Sequence, residues 1–292
     1  MKTKTLIPFL ALTFGLSWGI AALLILFTDQ VVAIFGEITN RNPLYILMAY
    51  SPGIAGAILV WRHYGLKGLG SFFRRLTLWR MPRVWWLYLI VGIPVIAYLA
   101  AALNGTLSDP FPFSPWYLVI PALIQGFFLL GTMEEFGWRG IAQPLLQRKM
   151  APIWAGLIVG IIWATWHLPV FLFGGGVQYD AWPIVPFYGG VIAISVILTP
   201  MFNSARGSLL IAYLYHFQMM NPIFPDAQPW DNLLFAITAV VIVVLNRRTM
   251  FKKGTGVTEV LYPEDSEVRS VQQEDPVDAD RFGSAVADIQ NR

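Results

Sequence analysis

Eight stretches of mostly apolar residues, separated by polar, Pro- or Gly-bearing joints, dominate the pattern of this chain. They run from Leu6 to Phe27, Pro43 to Trp61, Trp85 to Leu103, Trp116 to about Met133, Pro152 to Phe173, Trp182 to Phe202, Ser208 to about Met220 and Leu233 to Leu245. About 20 predominantly apolar residues are needed for a helix to cross roughly 30 Å of hydrocarbon. The first stretch carries no charge and follows Lys2 and Lys4, but its apolar run exceeds the usual 7–15 residues of a signal peptide core and no small-residue cleavage site follows, so it reads as a retained helix. The pattern predicts an all-α fold, a polytopic membrane helix bundle of about eight transmembrane helices.

Composition sharpens this reading. The 292 residues are 56% hydrophobic and 13% charged, about half the charge of a soluble domain. The absence of Cys removes disulfides, thiolate metal sites and Cys nucleophiles. A net charge of +3 is too small to suggest nucleic acid as a partner. The Lys and Arg positions alternate with the helices. One side receives Lys2 and Lys4, then Arg62, Lys67, Arg74, Arg75, Arg80 and Arg83, then Arg139, Arg148 and Lys149, then Arg206, then Arg247, Arg248, Lys252 and Lys253, while the other receives Arg41. Cytoplasmic loops carry the positive excess, so both termini are expected in the cytoplasm, with Asp29, Glu37, Asp109, Asp180 and Asp226 marking the outside loops. The chain divides into a transmembrane helical domain, 1–253, and an acidic tail, 254–292, expected to be disordered and cytoplasmic. The basic segment from Arg62 to Arg83, with Phe72, Phe73, Leu76, Leu78 and Trp79 interleaved, reads as an amphipathic surface element with membrane lipid as its partner.

Of the 17 acidic residues, all but two fall in outside loops, at helix entrances or in the tail. Glu134 and Glu135 close an apolar run. An acidic side chain at a helix centre is about 2.5–3.5 kcal/mol uphill, so such a pair needs compensation or a wet cavity. At about 100° per residue, Glu135 and Arg139 share a helix face, whereas Glu134 points some 140° from Arg139. Glu135 thus has a partner, and Glu134 is left for general-base work. Two histidines also lie within apolar stretches: His167, with Trp163 one turn before it, and His216. Glu134, His167 and His216 come from three helices, and a common cavity would accommodate all three.

These residues resemble the motifs of the CPBP intramembrane protease family, which contains type II CAAX prenyl endopeptidases and Abi-type proteins. The first motif, Glu-Glu-x-x-x-Arg, is met by Glu134, Glu135 and Arg139; the second, an aromatic residue four before a His, by Trp163 and His167, with Trp where the family often has Phe. The third, His-x-x-x-Asn, is met in part: His216 stands, but Met220 occupies the fourth position and Asn221 follows it. The resemblance places a protease core at about 115–221. It implies an intramembrane endopeptidase in which Glu134 activates water, aided by His167. His216 with Asn221 would stabilise the oxyanion, and Glu135, Arg139 and Trp163 would orient the set. It further implies a peptide or protein substrate, with prenylated polypeptides among the candidates, and a cell-membrane location.

No cofactor is expected under that mechanism; the alternative is zinc held by Glu134, His167 and His216, an acceptable ligand set by type. Two other readings stay open: a non-catalytic immunity or scaffold protein of the same fold, and a transporter relaying protons through the same residues. Depth opposes the whole arrangement. Were the fourth stretch a straight helix entering at Trp116, Glu134 would lie about 27 Å along it, near the cytoplasmic side, whereas His167 would lie near the outer end of the fifth.

Overall fold

A computed structural model of the chain describes residues 1–129, 132–172, 183–225 and 227–265. Among these the secondary structure is helical, with no strand. The main elements are α1 (Leu6–Leu26), α2 (Thr28–Phe35), α3 (Pro43–Ala49), α4 (Ser51–Arg74), α5 (Arg83–Asn104), α6 (Val119–Leu129), α7 (134–147), α8 (Pro152–Trp166), α9 (Ile184–Ser204), α10 (Leu209–Met219) and α11 (Trp230–Leu245). Each of the eight apolar stretches contains a helix. Four helical segments, Thr3–Leu26, Arg83–Asn104, Pro152–Leu172 and Ile184–Ser204, are long and apolar enough to cross a membrane alone. Helices α3 and α4 form a fifth span bent by 59°, and α6 and α11 are shorter apolar helices. The expected end of the fifth stretch at Phe173, the start of the sixth at Trp182, and the loop markers Asp180 and Asp226 lie outside the described residues.

Local sequence explains the boundaries. Asn42 caps α3 by accepting from the Leu44 amide at 3.0 Å, with Pro43 in the first turn where no intrahelical donor is lost. Gly105, at φ +78°, closes α5 in the left-handed conformation that favours glycine.

The fourth stretch differs most from expectation. Instead of one helix from Trp116 to about Met133, the described part of α6 runs to Leu129, Thr132 and Met133 form a turn, and a separate helix, α7, begins at Glu134. Every residue of α7 is buried, and its middle, Trp138–Ala142, is a wider π-helical turn. Glycine makes that burial possible. A Cβ on Gly137 would sit 2.5 Å from the Pro52 backbone of α4, and one on Gly53 would sit 2.6 Å from the Met133 carbonyl. The two backbones therefore pack closer than side chains allow, the small-residue route to tight helix contact in membranes.

Two apolar clusters flank α7. One joins Phe9, Leu59, Val60, Phe72, Trp138, Ile141 and Trp163; the other centres on Ile197, Leu198, Met201, Phe202 and Tyr215. At one end of the bundle the chain is tied shut. Arg75, 1% exposed, donates to the backbone carbonyls of Gly207 (2.9 Å), Gly140 (3.2 Å) and Val260 (2.8 Å). Gln147 donates to the Val257 carbonyl at 2.8 Å, and Arg148 to those of Thr258 at 2.8 Å and Met1 at 2.5 Å.

Two expectations change here. Residues 254–265, assigned by composition to an unstructured tail, are described and packed: Val260 and Leu261 are buried in the first cluster. The remainder, 266–292, lies outside the described residues. The basic segment from Arg62 to Arg83 is in large part a continuation of α4, with a backbone break at Gly65 (φ +65°), and two of its members, Phe72 and Arg75, point into the protein rather than at lipid.

Candidate active site

The break before α7 removes the depth conflict. With α7 and α8 joined by a short turn at 148–151, Glu134 lies 13 residues before Gln147 and His167 lies 15 residues after Pro152. At 1.5 Å per residue these are rises of about 20 and 22 Å from the same turn, so the two side chains reach one level. Helices α8 and α9 are held in register beside them by another close crossing, where a Cβ on Gly156 would meet Thr199 Oγ1 at 2.4 Å and one on Gly160 would meet the Ile192 backbone at 2.9 Å.

Glu134, His167, His216 and Asn221 all line one cavity of about 1010 Å³. Trp163 is its hub. The indole Nε1 donates to Glu134 Oε2 at 2.6 Å, and the ring lies 5.8 Å from that of His167 and 5.3 Å from that of His216. The Arg139 guanidinium sits 4.9 Å from the Trp163 ring centroid, within cation–π range. A phenylalanine would supply the ring but not the donor.

Glu135 behaves as the helical spacing required. It pairs with Arg139 at 3.2 Å, one turn on, and both side chains are fully buried. Its Oε1 also receives His216 Nδ1 at 2.9 Å, a contact that no spacing argument reveals because the partners are on different helices. Glu135 therefore fixes the ring plane of His216, and the opposite edge, carrying Nε2, is the one available to the cavity. His167 is held within its own helix, Nδ1 to the Trp163 carbonyl at 2.8 Å. A carbonyl only accepts, so Nδ1 carries the proton and, in the neutral ring, Nε2 holds the lone pair.

Asn221 lies beyond the end of α10, which stops at Met219, so the five-residue separation from His216 does not impose helical angles. Its Nδ2 donates to Gln218 Oε1 at 2.9 Å and its Oδ1 accepts from the Ile223 amide at 3.3 Å.

Glu134, His167 and His216 match zinc in ligand type, yet among the described residues no three His, Asp or Glu side chains converge as a metal site requires.

Sequence reasoning missed Tyr45 and Gln218, which line the same cavity. Tyr45 lies on α3, one turn after the Asn42 cap, and nothing in its neighbourhood distinguishes it from other aromatic residues of the chain. Gln218 had a weak signal, a polar residue between His216 and Asn221.

Residues 112–221 match the family described as type II CAAX prenyl endopeptidase Rce1-like. The chain is 27% identical over 186 residues to CAAX prenyl protease 2 of Methanococcus maripaludis, covering 59% of this chain and 65% of that protein. It is 25% identical over 101 residues to lysostaphin resistance protein A of Staphylococcus haemolyticus, covering 34% of this chain and 26% of that protein. The chain thus spans just under two thirds of the first relative and about a quarter of the second. The family segment contains every cavity residue contributed by α7, α8 and α10.

Proposed function

We propose that this chain, which belongs to the CPBP family, is an integral multi-pass membrane endopeptidase that hydrolyses peptide bonds of membrane-associated or lipidated polypeptides with water activated by Glu134. The observation that carries the reading is the meeting of Glu134, His167, His216 and Asn221, from separate segments of the chain, on a single cavity. Glu134 takes a proton from water as its oxygen adds to the scissile carbonyl, and returns it to the amine as the C–N bond breaks. His167 supports the base from Nε2. His216, its plane set by Glu135, stands with Asn221 where the carbonyl oxygen gains charge. General acid–base chemistry of this kind is worth about 10²–10⁴-fold, and a single positioned oxyanion donor a further 10²–10³-fold.

The mechanism needs no metal. Purified protein in detergent should cleave a reporter polypeptide bearing a membrane-anchored segment, with no loss on adding a chelator and loss of turnover in Glu134→Gln. Cleavage abolished by the chelator and restored by zinc would reverse the choice of chemistry.

One observation favours a second reading, a non-catalytic member of the same fold: the amide of Asn221 is already engaged by Gln218. Absence of cleavage across a panel of anchored reporters, with the wild-type protein folded, would establish it.

A further inference from the structure

Asn221 stands five residues after His216 and beyond the end of α10, so no helical geometry aims its side chain. Its orientation comes instead from a chain of hydrogen bonds that begins on α5. The π-helical turn of α5, Tyr88–Gly92, closes with the Ile93 amide donating to the Tyr88 carbonyl. The next residue, Pro94, has no N–H, so α5 has no donor in register for the Leu89 carbonyl. Gln218, in the last turn of α10, supplies one from Nε2 at 3.0 Å. A carbonyl only accepts, so this contact decides which end of the Gln218 amide faces α5 and turns Oε1 toward Asn221. Asn221 Nδ2 donates to that oxygen at 2.9 Å, and Asn221 Oδ1 accepts from the Ile223 amide at 3.3 Å. A backbone N–H only donates, so the two ends of the chain dictate the same direction through both side chains.

We infer that Gln218 is a positioning residue for peptide-bond hydrolysis, holding Asn221 so that the second N–H of Nδ2 meets the substrate carbonyl oxygen as it gains charge. The inference rests on the protease reading above. Nδ2 carries two protons; Gln218 engages one, and among the described residues the other has no partner. The side chain that carries it lines the cavity with Glu134, His167 and His216. With Oδ1 and one N–H both tied, the amide plane cannot turn, and the remaining N–H keeps one direction before substrate arrives, which is what an oxyanion donor requires. Gln218 thus replaces, across five residues, the shared face that a separation of four gives two residues on a helix. Its own two polar atoms are engaged by Leu89 and Asn221, so it acts through Asn221.

The test is a double-mutant cycle on the full-length protein in detergent, with kcat and KM measured on a membrane-anchored reporter and a thermal melt of each variant. Asn221→Ala should lower kcat by about 10²-fold or more. Gln218→Met should lower it by about 10- to 100-fold, the scale of a misplaced catalytic group, with KM nearly unchanged. In the Asn221→Ala background Gln218→Met should cost no further kcat, because the two act as one unit. Equal fold losses in both backgrounds, a loss confined to KM, or an unaltered kcat in either single variant overturns the inference. Gln218→Met also strips the Leu89 carbonyl of its donor and should lower the melting temperature. Pro94→Ala returns an N–H to α5 beside that carbonyl, and combined with Gln218→Met it should recover the melting temperature while kcat stays low. Recovery of both would show that Gln218 serves only to satisfy α5, and overturns the positioning role. A folded wild-type protein that cleaves no reporter removes the protease reading and this role with it, whereas cleavage by wild type that is indifferent to Gln218 removes this role alone.

Discussion

Arg75 and Glu134 are both buried charges in a chain with few charges to spare, and they are used in opposite ways. Arg75 has its guanidinium on three backbone carbonyls from three separate segments, in the lining of no cavity described above. Its charge is consumed by structure, closing one end of the bundle. Glu134 accepts the Trp163 indole N–H and lines a cavity. Its environment holds the carboxylate in place without spending it. A buried ionisable group marks a reactive site when its partners leave room for another molecule, and marks a clasp when they do not.

Substitution at each should therefore separate function from stability. Under the proposed mechanism, Glu134→Gln keeps the shape and removes the base. Cleavage of a membrane-anchored reporter should fall by about 10²–10⁴-fold, while thermal unfolding in detergent should be unchanged or shifted upward, because a buried charge has been replaced by a neutral amide. A fall in melting temperature with turnover intact would place Glu134 in the same class as Arg75.

Arg75→Met should show the converse. It leaves three buried carbonyls short of a donor at about 1–3 kcal/mol each, so a loss of about 3–5 kcal/mol is expected after relaxation, with turnover per folded molecule unchanged. The measurement pairs a thermal melt with active-site-normalised cleavage below the melting range. Equal losses of both would show that the clasp also sets the geometry of α7, which it touches through Gly140.

Within the site, Trp163→Phe tests the hub. The ring that packs against His167 and His216 is kept and the donor to Glu134 is lost. Hydrogen bonds to charged groups are worth about 1.5–3 kcal/mol, so kcat should drop by about 10- to 100-fold with KM nearly unchanged. A drop confined to KM would mean that the indole serves substrate binding instead of positioning the base.

The extent to which these roles were legible in the sequence depended on whether the interacting residues were neighbours along the chain. The eight apolar stretches were visible because the bilayer imposes length and hydropathy on each one locally. The Glu135–Arg139 pair was visible because four residues on a helix fix a shared face. The turn at Thr132 and Met133 was not fixed by the local run, whose one proline, Pro121, lies within α6, and the tight seat of Gly137 is against Pro52 on a distant helix. His216 on Glu135 and Arg75 on Gly207, Gly140 and Val260 were hidden for the same reason. The packed segment 254–265 carried a local signal that composition averaged away: Val260, Leu261 and Tyr262 form an apolar triplet at the head of an acidic tail.

That segment also supplies the smallest expected effect. Arg148 and Glu259 lie 3.5 Å apart with side chains 23% and 51% exposed, so their attraction is screened by solvent, and Glu259→Gln should cost less than about 0.5 kcal/mol. The backbone contacts of Arg148 with Thr258 and of Gln147 with Val257 do not involve the carboxylate and persist in the variant. The melting temperature should therefore hold at both low and high salt, in contrast to Arg75→Met. A salt-dependent loss on the scale of the Arg75 variant would show that surface charge, and not carbonyl capture with burial of Val260 and Leu261, holds this segment over the end of the bundle that Arg75 closes.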